Sequence, residues 1–174
     1  MELLFLDSLT DKNEQHSYKT IYERYITGRK RILEIGVQRG GSVLTWLATG
    51  AEVFGIDKDM PPPYLRHKRF TALHGDAYSP SMLTMLESMS EGKKFDMIVE
   101  DGSHKPEDIV WAAKHYTEFL SERGVMVIED IPNSKVVDDL KQLPGFFTVD
   151  FDLRGVKGRF DDRVVVLERV KSAL

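Results

Sequence analysis

The stretch Arg31-Ile-Leu-Glu-Ile-Gly-Val-Gln-Arg-Gly-Gly-Ser42 decides the fold class. Its first five residues form a short, mostly apolar run that predicts a strand. The glycines that follow predict a tight turn, and a helix is predicted from Ser42 until Gly50 ends it. A strand, a glycine-rich turn and a helix in this order are the first unit of an open α/β sheet.

The rest of the chain repeats this alternation of strands and helices. Strands are predicted at 52–56, 70–74, 95–99 and 124–128, helices at 17–27, 79–89, 106–120 and 134–140, and two further strands at 146–153 and 163–170. Strands separated by helices pair in parallel, whereas the last two, joined by a polar turn, should pair antiparallel. We therefore predict a three-layer α/β fold with a seven-stranded, mostly parallel sheet and an antiparallel C-terminal hairpin.

The composition and charge of the chain exclude several kinds of functional site. The 174 residues are 41% apolar and 30% charged, with a formal net charge of −4 and no cysteine. We expect a single domain, residues 1–174, with an N-terminal helical segment at 1–30 near the functional site and a core at 31–170. The acidic balance argues against a nucleic-acid partner, and the lack of cysteine excludes thiolate metal sites and cysteine nucleophiles. No signal peptide or membrane-spanning run is evident, so we expect no membrane partner and a cytoplasmic location.

The glycine-rich turn predicts a ligand site. Gly36, Gly40 and Gly41 are not spaced as in the dinucleotide-binding fingerprint, because Gln38 stands at the second glycine position. The free N–H groups of the following helix and the Ser42 hydroxyl suit a carboxylate or a phosphate. Glu34, just before the turn, suits a ligand ammonium, so the pair of sites fits an amino-acid zwitterion.

Two more carboxylates follow the next strands. Asp57 ends the second strand, where a carboxylate is placed to accept hydrogen bonds from ribose hydroxyls. Asp76 follows the third strand and could accept a hydrogen bond from an adenine amino group. Each alone is equally typical of a turn, but acidic residues at three consecutive strand ends favour a bound nucleoside.

A second acidic group follows the fourth and fifth strands. Glu100-Asp101 and Glu129-Asp130 place up to four carboxylates on one rim of the sheet. A hard divalent cation such as Mg²⁺, Mn²⁺ or Ca²⁺ would relieve their repulsion, although one or two of them could instead cap the helices that follow. His104 lies three residues after Asp101 and suits a general base, since the free imidazole titrates near neutral pH.

The glycine turn and its acidic partners resemble the cofactor motifs of class I S-adenosylmethionine-dependent methyltransferases. The resemblance covers residues 31–170 and implies a Rossmann-like methyltransferase fold. It implies that the methionine end is held by Glu34, Gly36 and Ser42, the ribose by Asp57, and the adenine region by Asp76 with Ala77, with Gly40 also among the cofactor-binding residues.

The acidic residues after the fourth and fifth strands resemble those of a smaller group within these methyltransferases. Asp101-Gly-Ser-His104 with Glu129-Asp130, and the early stretch Thr10-Asp-Lys-Asn-Glu-Gln-His-Ser-Tyr18 with Tyr22, resemble the macrocin and mycinamicin type of sugar O-methyltransferase and its cephalosporin-hydroxylase-like relatives. That resemblance implies a Mg²⁺ ion on Asp101, Glu129 and Asp130, with His104 as the base. Asp101 is the alternative base if His104 points away.

The sequence thus predicts an O-methyltransferase that uses S-adenosyl-L-methionine and Mg²⁺ or Mn²⁺. Its acceptor would be a small molecule with a hydroxyl, sugar-containing if the resemblance holds, and the enzyme would be a monomer or a small homo-oligomer. Three alternatives stay open: a catechol-like O-methyltransferase, whose base is usually a lysine, an NAD-binding oxidoreductase, and a non-catalytic binding module.

Overall fold

The computed structural model describes residues 2–6 and 8–170. Their helices and strands in chain order are α1 (Lys19–Tyr25), β1 (Arg31–Ile35), α2 (Gly41–Ala48), β2 (Glu52–Asp57), β3 (Phe70–His74), α3 (Pro80–Met89), β4 (Phe95–Glu100), α4 (Pro106–Tyr116), β5 (Leu120–Ile128), α5 (Ser134–Lys141), β6 (Phe146–Asp152), α6 (Arg154–Lys157) and β7 (Arg163–Arg169). Short 3₁₀ turns lie at Pro63–Leu65 and Thr117–Phe119.

All seven strands form one sheet in the order β3-β2-β1-β4-β5-β7-β6. The first five pair in parallel, and β7 pairs antiparallel with both β5 and β6. The chain reverses its strand order after β3, so β4 lies on the other side of β1. Open α/β sheets bind ligands at such a reversal, beyond the carboxyl ends of the strands. The predicted fold class is confirmed.

Helices cover both faces of the sheet, which gives the three layers. Side chains of α3, α4 and α5 pack on one face, around Leu33, Ile35 and Ile98. Side chains of α1 and α2 pack on the other face together with Leu3 and Phe5 from the N-terminus. The alternation of strand side chains therefore places Leu33 under one layer and Glu34 under the other.

Two helix boundaries differ from the prediction, and one short helix was not predicted. The helix predicted to reach residue 120 ends at Tyr116, because Leu120 already pairs with Phe95 as the first residue of β5. The helix predicted at 17–27 is limited to Lys19–Tyr25. The polar turn between the last two strands contains the one-turn helix α6.

Backbone hydrogen bonds hold the carboxyl ends of the strands side by side. The amide of Gly36 donates to the carbonyl of Ile56 at 2.9 Å, and the amide of Asp101 donates to the carbonyl of Ile35 at 3.0 Å. The amide of Glu129 in turn donates to the carbonyl of Glu100 at 3.0 Å. The loops after β1, β4 and β5 therefore start in one row, which fixes where their side chains lie.

Gly36 is required at the start of the first loop for two reasons. Its φ of +87° lies in the left-handed region, and a Cβ built on it would overlap the backbone oxygen of Asp101. Only a residue without a side chain allows β1 and β4 to continue their contact past the strand ends.

We expect Gly36→Ala to lower the free energy of unfolding much more than Gly28→Ala. Gly28 has a similar φ of +79° but open space around its Cα. Alanine at Gly28 should cost about 1–2 kcal/mol from the left-handed conformation alone. At Gly36 the clash adds to this, for a total of about 3 kcal/mol or more. Denaturant unfolding of the two variants measures the difference, and equal losses would contradict the close approach of Gly36 to Asp101.

In the part of the chain that is described, no helix has the length and apolar character needed to cross a membrane.

Candidate active site

An open cleft of about 800 Å³ lies over the carboxyl ends of β1 to β4. Four of the predicted ligand-binding residues line it: Gly36, Asp57, Asp76 and Ala77. Asp101, which follows β4, lines it as well. The volume is in the range typical of small-molecule and cofactor sites.

Asp57 organises the loop that forms one wall of the cleft. Its Oδ2 atom accepts hydrogen bonds from the backbone amides of Val37 and Gln38, each at 2.8 Å, and its Oδ1 accepts from the amide of Asp59 at 2.9 Å. Carboxylate oxygens have about four lone-pair positions, so Asp57 retains acceptor capacity toward the cleft. Asp57 thus lies in the wall of the cleft, and its contact with a ribose stays a prediction.

Glu34, Gly40 and Ser42 do not line the cleft. Glu34 is fully buried beneath the loop, where its two oxygens accept hydrogen bonds from the Ser42 hydroxyl at 2.5 Å and from the Trp46 indole at 3.1 Å. Burial raises the pKa of Glu34 to about 7, although the charge of Lys12 opposes the rise. Gly40, with a φ of +73°, caps α2. Direct contact of these three residues with a cofactor stays a prediction.

Tyr78 is a cleft residue that the sequence analysis missed. Its hydroxyl donates to Glu100 Oε1 at 2.6 Å and accepts from the amide of Ser103 at 2.8 Å. Glu100 is buried, which raises its pKa to about 7. Tyr78 therefore ties the loop after β3 to the loop after β4 across the cleft. The Gly-Asp-Ala-Tyr sequence around it gave no local sign of a partner 22 residues away.

Beside the cleft, the acidic residues after β4 and β5 form a cluster with His104. The His104 Nδ1 atom lies 2.8 Å from Asp130 Oδ2, and its Nε2 lies 3.6 Å from Asp101 Oδ1. Asp101, His104 and Asp130 form a group whose ligand atoms lie within 4.8 Å of one another. The structure thus brings these three side chains together, and their roles as metal ligands and base stay predictions.

His104 differs from the expectation in one respect. The sequence predicts a pKa near that of free imidazole, but the hydrogen bond to Asp130 raises the pKa of His104 to about 9. The same bond, with one donated by Tyr18, outweighs burial and lowers the pKa of Asp130. In this arrangement His104 and Asp130 form an ion pair at neutral pH.

Lys12 lies inside the cluster, and the sequence analysis gave it no role. Its Nζ atom lies 2.6 Å from Asp101 Oδ2 and 2.8 Å from each oxygen of Glu129. Lys12 and Glu129 are both buried, with side chains 1% exposed. Burial alone would lower the pKa of Lys12, but the two carboxylates raise it well above its usual value. Burial in turn raises the pKa of Asp101 and Glu129, and Lys12 opposes that rise.

Two tyrosines near the N-terminus complete the cluster. The Tyr18 hydroxyl donates to Asp130 Oδ1 at 2.5 Å, and the Tyr22 hydroxyl donates to Glu129 Oε1. Both rings are fully buried, and Tyr22 packs on Trp46 of α2 with ring centroids 4.9 Å apart. The early stretch quoted above thus supplies a lysine and two hydroxyls to the acidic residues.

The donors suit a hard divalent cation in chemical type, because they are mainly carboxylate oxygens. Two of the three predicted metal ligands, Asp101 and Asp130, converge with His104. The third, Glu129, faces Lys12 and Tyr22 instead. Within residues 2–6 and 8–170, Glu129 is not part of a group whose ligand atoms converge.

Three residues at this edge of the sheet hold a left-handed backbone although they are not glycine. They are Gln38 with φ 46°, His104 with φ 58° and Asp130 with φ 50°. Such conformations cost about 1–3 kcal/mol each and persist where surrounding contacts enforce them. For His104 and Asp130 those contacts are the bonds to each other and to Tyr18.

Comparison of the sequence with models of known protein families identifies a methyltransferase family. A profile described as a methyltransferase domain matches residues 33–131, which run from within β1 to just past β5 and include both groups of acidic residues. No curated protein matches the chain at a significant level.

Solved structures show the same fold. MycE methyltransferase from the mycinamycin biosynthetic pathway, in complex with Mg and SAH, has a TM-score of 0.66 at 18% identity over 91% of this chain and 51% of that one. A Staphylococcus aureus protein described as a caffeoyl-CoA O-methyltransferase has a TM-score of 0.61 at 17% identity, covering 87% of this chain and 80% of that one.

A Burkholderia thailandensis 1,6-didemethyltoxoflavin-N1-methyltransferase has a TM-score of 0.63 at 15% identity over 88% of this chain and 76% of that one. The chain spans about half the length of the MycE structure, 51%.

The strand order, the cleft beyond β1 to β4 and the family match agree with one another. This chain belongs to the class I S-adenosylmethionine-dependent methyltransferases.

Proposed function

We propose that this methyltransferase transfers the methyl group to a hydroxyl oxygen of a sugar or glycosylated small molecule, with the help of a divalent metal, Mg²⁺ or Mn²⁺. The observation that carries the proposal is the position of Asp101. It lines the cofactor cleft and also belongs to the acidic cluster with His104 and Asp130. An acceptor held at the cluster would therefore lie next to the methyl donor.

We propose a role in cofactor binding for residues that line the cleft. Gly36 and the loop amides beside it would contact the methionine part, Asp57 the ribose, and Asp76 with Ala77 the adenine region. Glu34 and Ser42 would support the loop from below, as their mutual hydrogen bond indicates. An NAD-binding oxidoreductase is disfavoured because Gln38 replaces the second glycine of the dinucleotide fingerprint.

The acidic cluster would orient the acceptor molecule and activate its hydroxyl group. Asp101, Glu129 and Asp130 would hold the metal, which lowers the pKa of a hydroxyl bound to it. Transfer forms a carbon–oxygen bond, breaks the sulfur–methyl bond and releases the hydroxyl proton to a base. We assign that base to His104, which is 35% exposed at the mouth of the site, with Asp101 as the alternative. Because the pair with Asp130 keeps His104 protonated at neutral pH, His104 would first have to leave that pair and lose its proton before it could act as the base.

The neighbouring structures support the type of acceptor. MycE was solved with Mg and SAH, and one of its structures also contains mycinamycin VI. The caffeoyl-CoA O-methyltransferase-like structure keeps a catechol-like acceptor as the second candidate. We retain the predictions that residues 1–174 act as one domain, with 1–30 beside the site, and that the enzyme is a cytoplasmic monomer or small homo-oligomer.

The first functional prediction concerns the cofactor. Calorimetry should show binding of S-adenosylmethionine but not of NAD. Asp57→Ala should weaken that binding by about 1–3 kcal/mol, because hydrogen bonds to the ribose are lost. The penalty should shrink for an analogue that lacks a ribose hydroxyl, which separates ribose contact from the effect on the loop. Unchanged affinity in the variant would refute the role of Asp57.

The second prediction concerns the metal and the acceptor. A methyl-transfer screen over sugars, glycosides and catechols should find an acceptor in the presence of Mg²⁺ or Mn²⁺. EDTA should abolish turnover, while circular dichroism and S-adenosylmethionine binding stay unchanged, because the cofactor cleft and the core do not depend on the ion. Full activity in EDTA would refute metal dependence, and turnover of catechols alone would favour the second candidate.

The third prediction concerns the base. His104→Gln should lower kcat by about 10²–10⁴-fold, the usual contribution of a general base, with little change in S-adenosylmethionine affinity. His67→Gln is the matched control, because His67 is exposed and outside the cleft and the cluster. A kcat for His104→Gln close to that of the control would transfer the base role to Asp101.

A further inference from the structure

The ammonium group of Lys12 uses all of its donors inside the acidic cluster. An ammonium has three N–H donors. Three oxygen atoms lie within 2.6–2.8 Å of Lys12 Nζ: one from Asp101 and two from Glu129. Because Lys12 is 1% exposed, water does not compete for these bonds. Lys12 is therefore the bound cation of the cluster in this arrangement.

The same bonds use most of the acceptor capacity of Glu129. A carboxylate has about four lone-pair positions. Two of them on Glu129 accept from Lys12, and a third accepts from Tyr22. A metal that takes Glu129 as a ligand needs at least one of the positions that Lys12 now holds, or must share an oxygen with it. At Asp101 only Oδ2 accepts from Lys12, so a metal on that oxygen must share it with the ammonium.

We propose that Lys12 is the built-in counter-ion of Asp101 and Glu129, and that a divalent cation competes with its ammonium for these two carboxylates. The proposal rests on the metal site of the proposed function and adds the residue that sets its affinity. Without Lys12, two buried neighbouring carboxylates would repel each other and demand an external cation. With Lys12, one of the two negative charges is balanced before any metal arrives.

Titration with Mn²⁺ alone tests the competition, because it needs neither cofactor nor acceptor. Lys12→Gln removes the charge and keeps a polar chain of similar length. By calorimetry it should bind Mn²⁺ about tenfold more tightly than the wild-type protein, or better, since a positive charge next to the ion is gone. Lys135→Gln is the matched control: Lys135 is 82% exposed and pairs with Asp139 at 2.7 Å. The control should bind as the wild type does.

Thermal unfolding gives a second readout that remains informative if the variant is poorly folded. In EDTA, Lys12→Gln should have a lower Tm than the wild type, and Mn²⁺ should raise the Tm of the variant far more than that of the wild type. A variant that folds only when Mn²⁺ is added meets the same expectation. Adding Glu129→Gln to Lys12→Gln removes one carboxylate and should abolish both the Mn²⁺-dependent gain in Tm and the tighter binding.

Three outcomes would overturn the competition. They are equal or weaker Mn²⁺ affinity in Lys12→Gln, no Mn²⁺ binding in either protein, and a variant that stays unfolded with or without Mn²⁺. Failure of the methyl-transfer screen would instead refute the proposed function. The two failures are distinguishable because the Mn²⁺ titration does not measure turnover.

Discussion

The burial of Glu129 beside the half-buried Asp101 at neighbouring strand ends requires a positive charge in the same place, and Lys12 provides it. A buried ion pair contributes little net stability compared with well-packed apolar side chains, because both charges lose their hydration. Removing one partner nevertheless costs about 3–5 kcal/mol, since the other charge is left buried and unpaired. The arrangement of residues before β1 therefore depends on the acidic ends of β4 and β5.

This dependence explains why the N-terminal segment packs as closely as it does. Tyr18 and Tyr22 reach Asp130 and Glu129 only if α1 lies against the sheet beside α2. The contact of Phe5 with Trp46, with ring centroids 5.7 Å apart, extends the same packing toward the start of the chain. Residues that a purely local analysis would assign to a leading segment thus form one side of the proposed catalytic centre.

The sequence predicted the sheet and the cleft well, because both follow from local pattern. The apolar runs and the glycines near Gly36 determine where strands end, and parallel pairing brings those ends to one edge. Asp57, Asp101 and His104 could be located in this way. The pKa of His104 could not, because it depends on the distance of its ring from Asp130.

The role of Lys12 was beyond prediction for a related reason. Its partners lie 89 and 117 residues later, and no periodicity in the sequence relates a lysine to carboxylates so far away. Glu34 illustrates the converse case. Its position before the glycine turn suggested contact with a ligand, but the strand alternation directs its side chain to Ser42 and Trp46 under α2.

The long separation of Lys12 from its partners also bears on how the protein is made. Ribosomal synthesis releases Lys12 well before Asp101 and Glu129, so the lysine spends much of synthesis without the charges it compensates. Contacts between residues this far apart in sequence have a large loop-closure entropy and form slowly. Because the centre needs the ends of both β4 and β5, we expect it to form no earlier than the pairing of these two strands.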